Sequence, residues 1–456
     1  MARDIVDSES VESRDDLAHW FEAGCKPAAE FRVGAEHEKV PFTLPGHAPV
    51  PYAGAHGIAA LLEAFAAQGS WSRIEDKGAL IGLFDEVGKG AISLEPGGQF
   101  ELSGAAFADV HQVGAELERH LATCREIGEK LGIGFLTLGM SPAWTRAETP
   151  VMPKSRYAIM ANYMPKVGTR GLDMMFRTTT VQSNLDFSSE PDMVAKLRVG
   201  LAVQPLITAL FANSPFADGK PNGFLSMRSH IWLDTDRGRT GMMPFAFEPG
   251  MGFERYVDFA LAVPMYFVKR GDVYHDVAGA DFRDLLAGKL TQLPGERATV
   301  ADWANHLSTI FPEVRLKRYL EMRGADLGPP DHILALQALC VGLYYDQTAL
   351  DEALALTKDW SAPQRQALRD AVPRQALHAD IAGRSARAVA GDLLAIAKRG
   401  LRRRAKLDAA GRDEAPYLDC LFKIVDEGRT SAELWLERYE KAWGGDLAKV
   451  FDEARF

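Results

Sequence analysis

The chain has 456 residues, 47% of them hydrophobic and 25% charged, with a formal net charge of −10. This composition excludes disordered and fibrous material and leaves room for an extensive core or several coupled domains. The acidic balance excludes a general nucleic-acid surface, so an anionic ligand would need locally gathered Arg, Lys or metal. The N-terminus, MARDIVDSESVESRDD, is charged and lacks the apolar run of a secretory signal, and no stretch of membrane-spanning length is expected. The expected protein is therefore cytoplasmic, with neither membrane nor nucleic acid as partner. Cys25, Cys124, Cys340 and Cys420 show no CxxC spacing, which predicts reduced thiols and signals neither a zinc site nor a disulfide framework.

In chain order, residues 11–24 place Leu17, Trp20 and Phe21 at helical spacing before Gly24, predicting a surface helix. In EFRVGAEHEKVPF, Phe31, Val33 and Ala35 alternate against Arg32, Gly34, Glu36 and Glu38, so Glu36 and Glu38 point the same way from a strand. Adjacent carboxylates repel, so the pair reads either as a solvated acidic face or as one end of a cation site. Residues 54–68 predict a helix with Ile58, Leu61, Leu62 and Phe65 inward. AISLEPGGQFELSG predicts two short strands around a Pro-Gly-Gly turn able to bring Glu95, Gln99 and Glu101 about one point. Oxygen-only ligand sets of this kind favour hard cations such as Mg²⁺.

A helix over 106–130 and the apolar strand IGFLTLGM follow. MPKSRYAIMANYMPKVGTRG then reads as an ordered loop and short helix carrying Lys154, Arg156, Lys166 and Arg170, suited to an anionic ligand or to surface ion pairs. In the strand FRTTTVQSNLDF, Thr178, Thr180, Gln182, Asn184 and Asp186 share one polar face, which must meet either solvent or a wet cavity. A long apolar helix starts after Ser188 and Ser189, with Pro205 expected to kink or divide it. GFLSMRSHIWLDTD reads as a further strand with Ser226, Arg228, His230 and Trp232 on one side, and DTDRGRTG offers Arg237 and Arg239 as phosphate contacts. From about Asp302 onward the pattern is amphipathic and helical, and its Arg402–Arg404 run reads as a solvated face.

Taken together, GAEHEKVPF, SLEPGGQFELSG, MPKSRY with NYMPKVG, TTTVQSNLDFSSE, FANSPFADGKPNGFLSMRSHIWLDTD and FPEVRLKRYLEMRGAD resemble glutamate-cysteine ligase of the plant and α-proteobacterial type, from about Glu30 into the C-terminal helices. The resemblance implies an α+β fold: a curved, mainly antiparallel sheet forming a polar funnel, related to the glutamine synthetase catalytic domain, with outer helices and a helical C-terminal region. It implies one catalytic domain over 1–456, with 30–300 carrying the sheet and active site and 301–456 mainly helical. It also implies ATP-dependent joining of the L-glutamate γ-carboxyl to the L-cysteine amine through a γ-glutamyl phosphate, as the first step of glutathione synthesis, in a monomer or homodimer.

On that resemblance, Glu36, Glu38, Glu95 and Glu101 are expected at the Mg²⁺ (or Mn²⁺) and ATP-phosphate end. Gln182 and Asn184 are expected beside it on the ATP, as neutral groups that orient ligands or water, with Arg237 and Arg239 as weaker nucleotide candidates. Arg156 and Arg228 are expected on the substrate glutamate, as catalytic and binding residues. No residue is assigned to cysteine. The plant members' paired-cysteine control does not carry over, because LAGKLTQLPGE and DHILALQALCVG hold only Cys340. The same motifs would also suit a relative that joins glutamate to another amine or phosphorylates a guanidino group. An inactive homologue is disfavoured by the presence of all four carboxylates.

Overall fold

A computed structural model of the chain describes residues 8–456. Its centre is β1 (Val33–Thr43), whose alternating residues pack one face inward and turn the other towards a cavity. The other labelled strands are β2 (Trp71–Asp76), β3 (Ala79–Asp85), β4 (Ala91–Leu94), β5 (Phe100–Ser103), β6 (Ile133–Leu136) and β7 (Thr180–Leu185). With Val314–Leu316 and Leu320–Asp326 they form one nine-stranded sheet, in the order 314–316, 320–326, β7, β1, β5, β4, β3, β2. All its pairings are antiparallel, and β6 joins the second half of β1.

The register aligns side chains from distant segments. Glu36 stands opposite Gln182 on one side and Ser103 on the other, and Glu38 stands opposite Glu101. On the β7 edge, Asn184 stands opposite Glu321. Facing residues alternate as expected: Val33 and Ala35 join Val181 and Leu185 in the main core, while the even-numbered polar residues of both strands share the other face. At the end of β4, Pro96-Gly97-Gly98 reverses the chain. The Glu95 and Gly98 backbones are hydrogen-bonded across the turn, Gly98 takes φ +88°, and a Cβ on Gly97 would sit 2.0 Å from the Phe176 carbonyl.

Helices α1 (Arg14–Glu22), α2 (Ile58–Ala66), α3 (Val110–Leu131), α4 (Ser155–Tyr163), α5 (Gly171–Arg177), α6 (Glu190–Leu210) and α7 (Met227–Trp232) surround the sheet. α6 and the helix Pro330–Tyr344 pack directly on it. α6 is capped by Ser189 and carries Pro205 without being divided by it. By length and composition it could cross a membrane, which corrects the expectation that no such stretch exists, but most of it is buried within the protein.

Three further expectations are corrected. Residues 227–232 are helical, not a strand: Ser226 accepts from the Ser229 amide as N-cap, and Arg228 and Ile231 turn inward at three-residue spacing. The boundary at 300 is also displaced, because 314–316 and 320–326 complete the sheet before the helical region begins. Phe176 and Arg177 likewise end α5 and do not open β7.

Candidate active site

The polar face of the sheet forms the floor of a cavity of about 680 Å³, lined by Glu38, Glu95, Gln99, Arg156, Thr178, Thr180, Gln182, Arg228 and Arg323, among others, with Trp232 and Phe311 among its apolar walls. An adjoining recess of about 330 Å³ shares Arg228, Trp232, Phe311 and Arg323 and adds Glu313 and Arg369. Carboxylates and guanidiniums thus meet across one concave space.

On the acidic wall, Glu38 receives the Thr180 amide at 3.0 Å. Burial pushes its pKa well above the ordinary carboxylate value, and the neighbouring Glu95 and Glu101 push it further. Glu95 is raised for the same reasons, by burial first and then by Glu101. Glu101 lies deeper and accepts from Ser93 Oγ at 2.5 Å and Ser103 Oγ at 2.9 Å. Burial opposes its ionisation too, but these hydroxyls and the charge of Lys154 are among the groups that outweigh it and hold its pKa below the usual range. Gln99 lines the cavity while tying the turn to α5: its amide nitrogen donates to the Met175 carbonyl at 3.2 Å and the Thr178 carbonyl at 2.9 Å.

Glu36 is set apart from this group. It accepts from Asn184 Nδ2 at 2.9 Å, and the two open onto a neighbouring concavity of about 1030 Å³ that also carries Lys26, Arg32, Phe84, Lys89 and Tyr319. Glu38 and Glu95 thus line the cavity and Glu36 the neighbouring concavity, while Glu101 lines neither, so the four glutamates do not converge on one point. Among the described residues, the one trio of His, Cys, Asp or Glu whose ligand atoms all lie within 4.8 Å of one another is Asp331, His332 and Cys420, not a set of glutamates.

The cationic wall comes from three elements. Arg156, in the first turn of α4, sits over the Tyr157 ring at 5.5 Å. Arg228 is buried in α7, its amide held by Ser214 Oγ at 3.1 Å and its guanidinium donating to the Arg323 carbonyl at 2.8 Å. Ser214 and Ser226 both donate to Asp326, at 2.6 and 2.8 Å, so a buried carboxylate at the end of the last strand steadies the start of α7.

Arg323 was not singled out by the sequence reading. It bridges Gln182 Oε1 at 2.7 Å and Glu321 at 2.6 Å, and Glu321 in turn pairs with Arg315 at 2.6 Å and Lys317 at 2.8 Å. Burial opposes the ionisation of Glu321, yet these three cations hold its pKa well below the ordinary value. The i, i+2 pairs Arg315/Lys317 and Glu321/Arg323 were the available signal, since charges alternating on short strands report a polar sheet face.

The nucleotide assignment of the two loop arginines is corrected. Arg239 has no exposed surface: it pairs with Asp236 at 2.6 Å, donates to the carbonyls of Thr309 and Pro264, and lies 3.8 Å from the Tyr266 ring centre. Its donors are occupied in building the fold. Arg237 is 84% exposed and lines neither cavity nor the neighbouring concavity.

The description "Glutamate-cysteine ligase family 2" matches residues 32–453 of the chain. The chloroplastic glutamate-cysteine ligase of Arabidopsis thaliana is 52% identical over 449 residues, covering 98% of this chain and 84% of that protein. Chloroplastic glutamate-cysteine ligase B of Oryza sativa subsp. japonica is 50% identical, covering 97% and 87%. The crystal structure of glutamate-cysteine ligase from Francisella tularensis in complex with AMP has the same fold, with a TM-score of 0.56 at 13% identity, covering 93% of this chain and 87% of that one. The chloroplastic relatives overturn the cytoplasmic expectation, which rested on the charged N-terminus and on the expected lack of a membrane-spanning stretch.

Proposed function

The chain belongs to glutamate-cysteine ligase family 2, and from that premise we propose that it is an ATP-dependent ligase joining the γ-carboxyl of glutamate to the amine of cysteine, the first step of glutathione synthesis. The observation that carries the site reading is the single cavity in which Glu38 and Glu95 face Arg156, Arg228 and Arg323. A carboxylate is a poor electrophile, so it must first accept a phosphoryl group from ATP, and bringing two anions together requires positioning and charge neutralisation.

Arg156 and Arg228 bind the glutamate carboxylates, because a planar guanidinium matches a carboxylate in two-point geometry. Arg323 extends this cationic wall and is itself oriented by Gln182 and Glu321. Arg228 is fixed from both its amide and its guanidinium, so it meets substrate with little conformational freedom left to lose.

Glu38, Glu95 and Glu101 supply the hard-cation end, with Glu36 flanking it. The chemistry of this donor set fits Mg²⁺, or Mn²⁺ in its place: the oxygens are hard, and Glu38 and Glu95 have pKa values raised by burial first and then by their carboxylate neighbours, both of which a divalent ion would offset. When bound, that ion would neutralise the phosphoryl oxygens during transfer. With Arg237 and Arg239 set aside, the ATP side falls to the concavity next to Glu36, where Lys26, Arg32 and Lys89 gather positive charge near Phe84. Because 30–300 and 314–326 contribute to one polar face, we read the chain as a single catalytic unit.

The test is phosphate release and product formation with glutamate and ATP against a panel of amines. The expected result is turnover with cysteine and close analogues. Faster turnover with a different class of amine would overturn the substrate assignment, and turnover independent of divalent cation would overturn the role given to the glutamates.

A further inference from the structure

We propose that Asp331, His332 and Cys420 form a second metal site, for a thiophilic divalent cation of the Zn²⁺ class, separate from the polar face of the sheet. Asp331 and His332 lie in the first turn of the helix Pro330–Tyr344, and Cys420 is the second residue of the helix Asp419–Glu427. One carboxylate oxygen, one ring nitrogen and the thiol all lie within 4.8 Å of one another. Donor atoms around a tetrahedral Zn²⁺ stand about 3.3–3.8 Å apart, given bonds of about 2.0–2.3 Å. Closing the trio onto an ion therefore needs side-chain movement of an ångström or so, and the two helices are already packed together.

The histidine points to a ligand independently. His332 is only 6% exposed, lies against the edge of the Phe211 ring, and its ring nitrogens have no hydrogen-bond partner among the described residues. An almost wholly buried ring that makes no protein hydrogen bond has a nitrogen lone pair available for metal ligation. The sulfur reaches the Asp331 and Tyr417 carbonyls only at 3.8 and 3.9 Å, contacts too weak to occupy it. Asp331 is exposed, which gives an ion a route in from solvent.

Sulfur, imidazole and carboxylate together favour Zn²⁺, Co²⁺ or Cd²⁺ over Mg²⁺, the reverse of the preference of the all-carboxylate cavity. Three protein ligands leave one coordination position for water. An ion here would tie the start of one helix to the start of another. The first of these helices follows Leu320–Asp326, whose last residue steadies α7.

The test is a Co²⁺ titration of the full chain, without amino-acid substrates and with Mg²⁺ in excess to saturate the hard-oxygen sites. The expected result is a single equivalent bound with a sulfur-to-cobalt charge-transfer band in the near ultraviolet. Cys420→Ser should abolish the band, and Asp331→Asn, a change on an exposed carboxylate that spares the fold, should weaken Co²⁺ binding about tenfold. Cys25→Ser, at the other partly exposed thiol, should leave the band intact. Absence of the band in the natural protein, its survival in Cys420→Ser, or its loss in Cys25→Ser would overturn the site.

Discussion

Arg228 and Arg239 show how little a residue type reveals by itself. Both are buried, but Arg239 has its donors occupied by Asp236 and two carbonyls, whereas Arg228 turns into the cavity opposite Glu38. Arg228→Lys keeps the charge and loses the two-pronged geometry, so the glutamate KM should rise tens to thousands of fold, equivalent to roughly 2–5 kcal/mol, with the ATP KM within a few fold. Steady-state kinetics with each substrate varied in turn is the measurement; equal damage to both KM values would move Arg228 out of the glutamate site. Glu38→Gln should behave oppositely, cutting kcat and the response to ATP and divalent cation while sparing the glutamate KM. The position of Glu38 was legible because i, i+2 residues of a strand share a face. The separation of Glu36 from it was not, because that depends on the Asn184 amide across the sheet.

Among the elements, the hairpin formed by Val314–Leu316 and Leu320–Asp326 was the main one missed. Its strands are short and heavily charged, so a scan for apolar periodicity merges them with the helices that follow. Packed in the sheet, they enclose Glu321, fully buried among Arg315, Lys317 and Arg323. Glu321→Gln would leave three buried cations without their counter-charge and should cost about 3–5 kcal/mol by urea denaturation, with activity falling as Arg323 loses its support. A loss below 1 kcal/mol would show that water compensates these cations.

The pH dependence of this hub follows from the depressed pKa of Glu321. Its folded-state pKa lies below its unfolded value, so its contribution is complete above the unfolded pKa of about 4.3 and disappears as pH falls through the folded value. In the natural protein, stability should therefore decline with acid below about pH 4.5. Glu321→Gln should flatten that decline, as the difference between the two denaturation series over this range.

At the scale of the whole molecule, the crowded carboxylates oppose folding wherever they are ionised. The folded-state pKa values of Glu38 and Glu95 are raised, so each penalty is absent below the unfolded pKa and complete above the folded one. At neutral pH, Mg²⁺ alone should raise the unfolding midpoint, with about 2.7 kcal/mol available at a hundredfold excess over Kd. Glu38→Gln should make the metal-free protein more stable and shrink the Mg²⁺ response; an undiminished response, followed by scanning calorimetry, would place the ion elsewhere. The amino-acid sequence by itself determined the polar row of β7, the paired glutamates of β1, the Pro-Gly-Gly turn, and the long motifs that carry the family likeness, because strand alternation and turn chemistry are set by near neighbours. Only tertiary structure decided that 227–232 are helical, that 314–326 complete the sheet, which arginines are spent on the fold, and that Cys420 meets Asp331 and His332. Each of these depends on partners tens to hundreds of residues away, and it is packing, not local spacing, that chooses them.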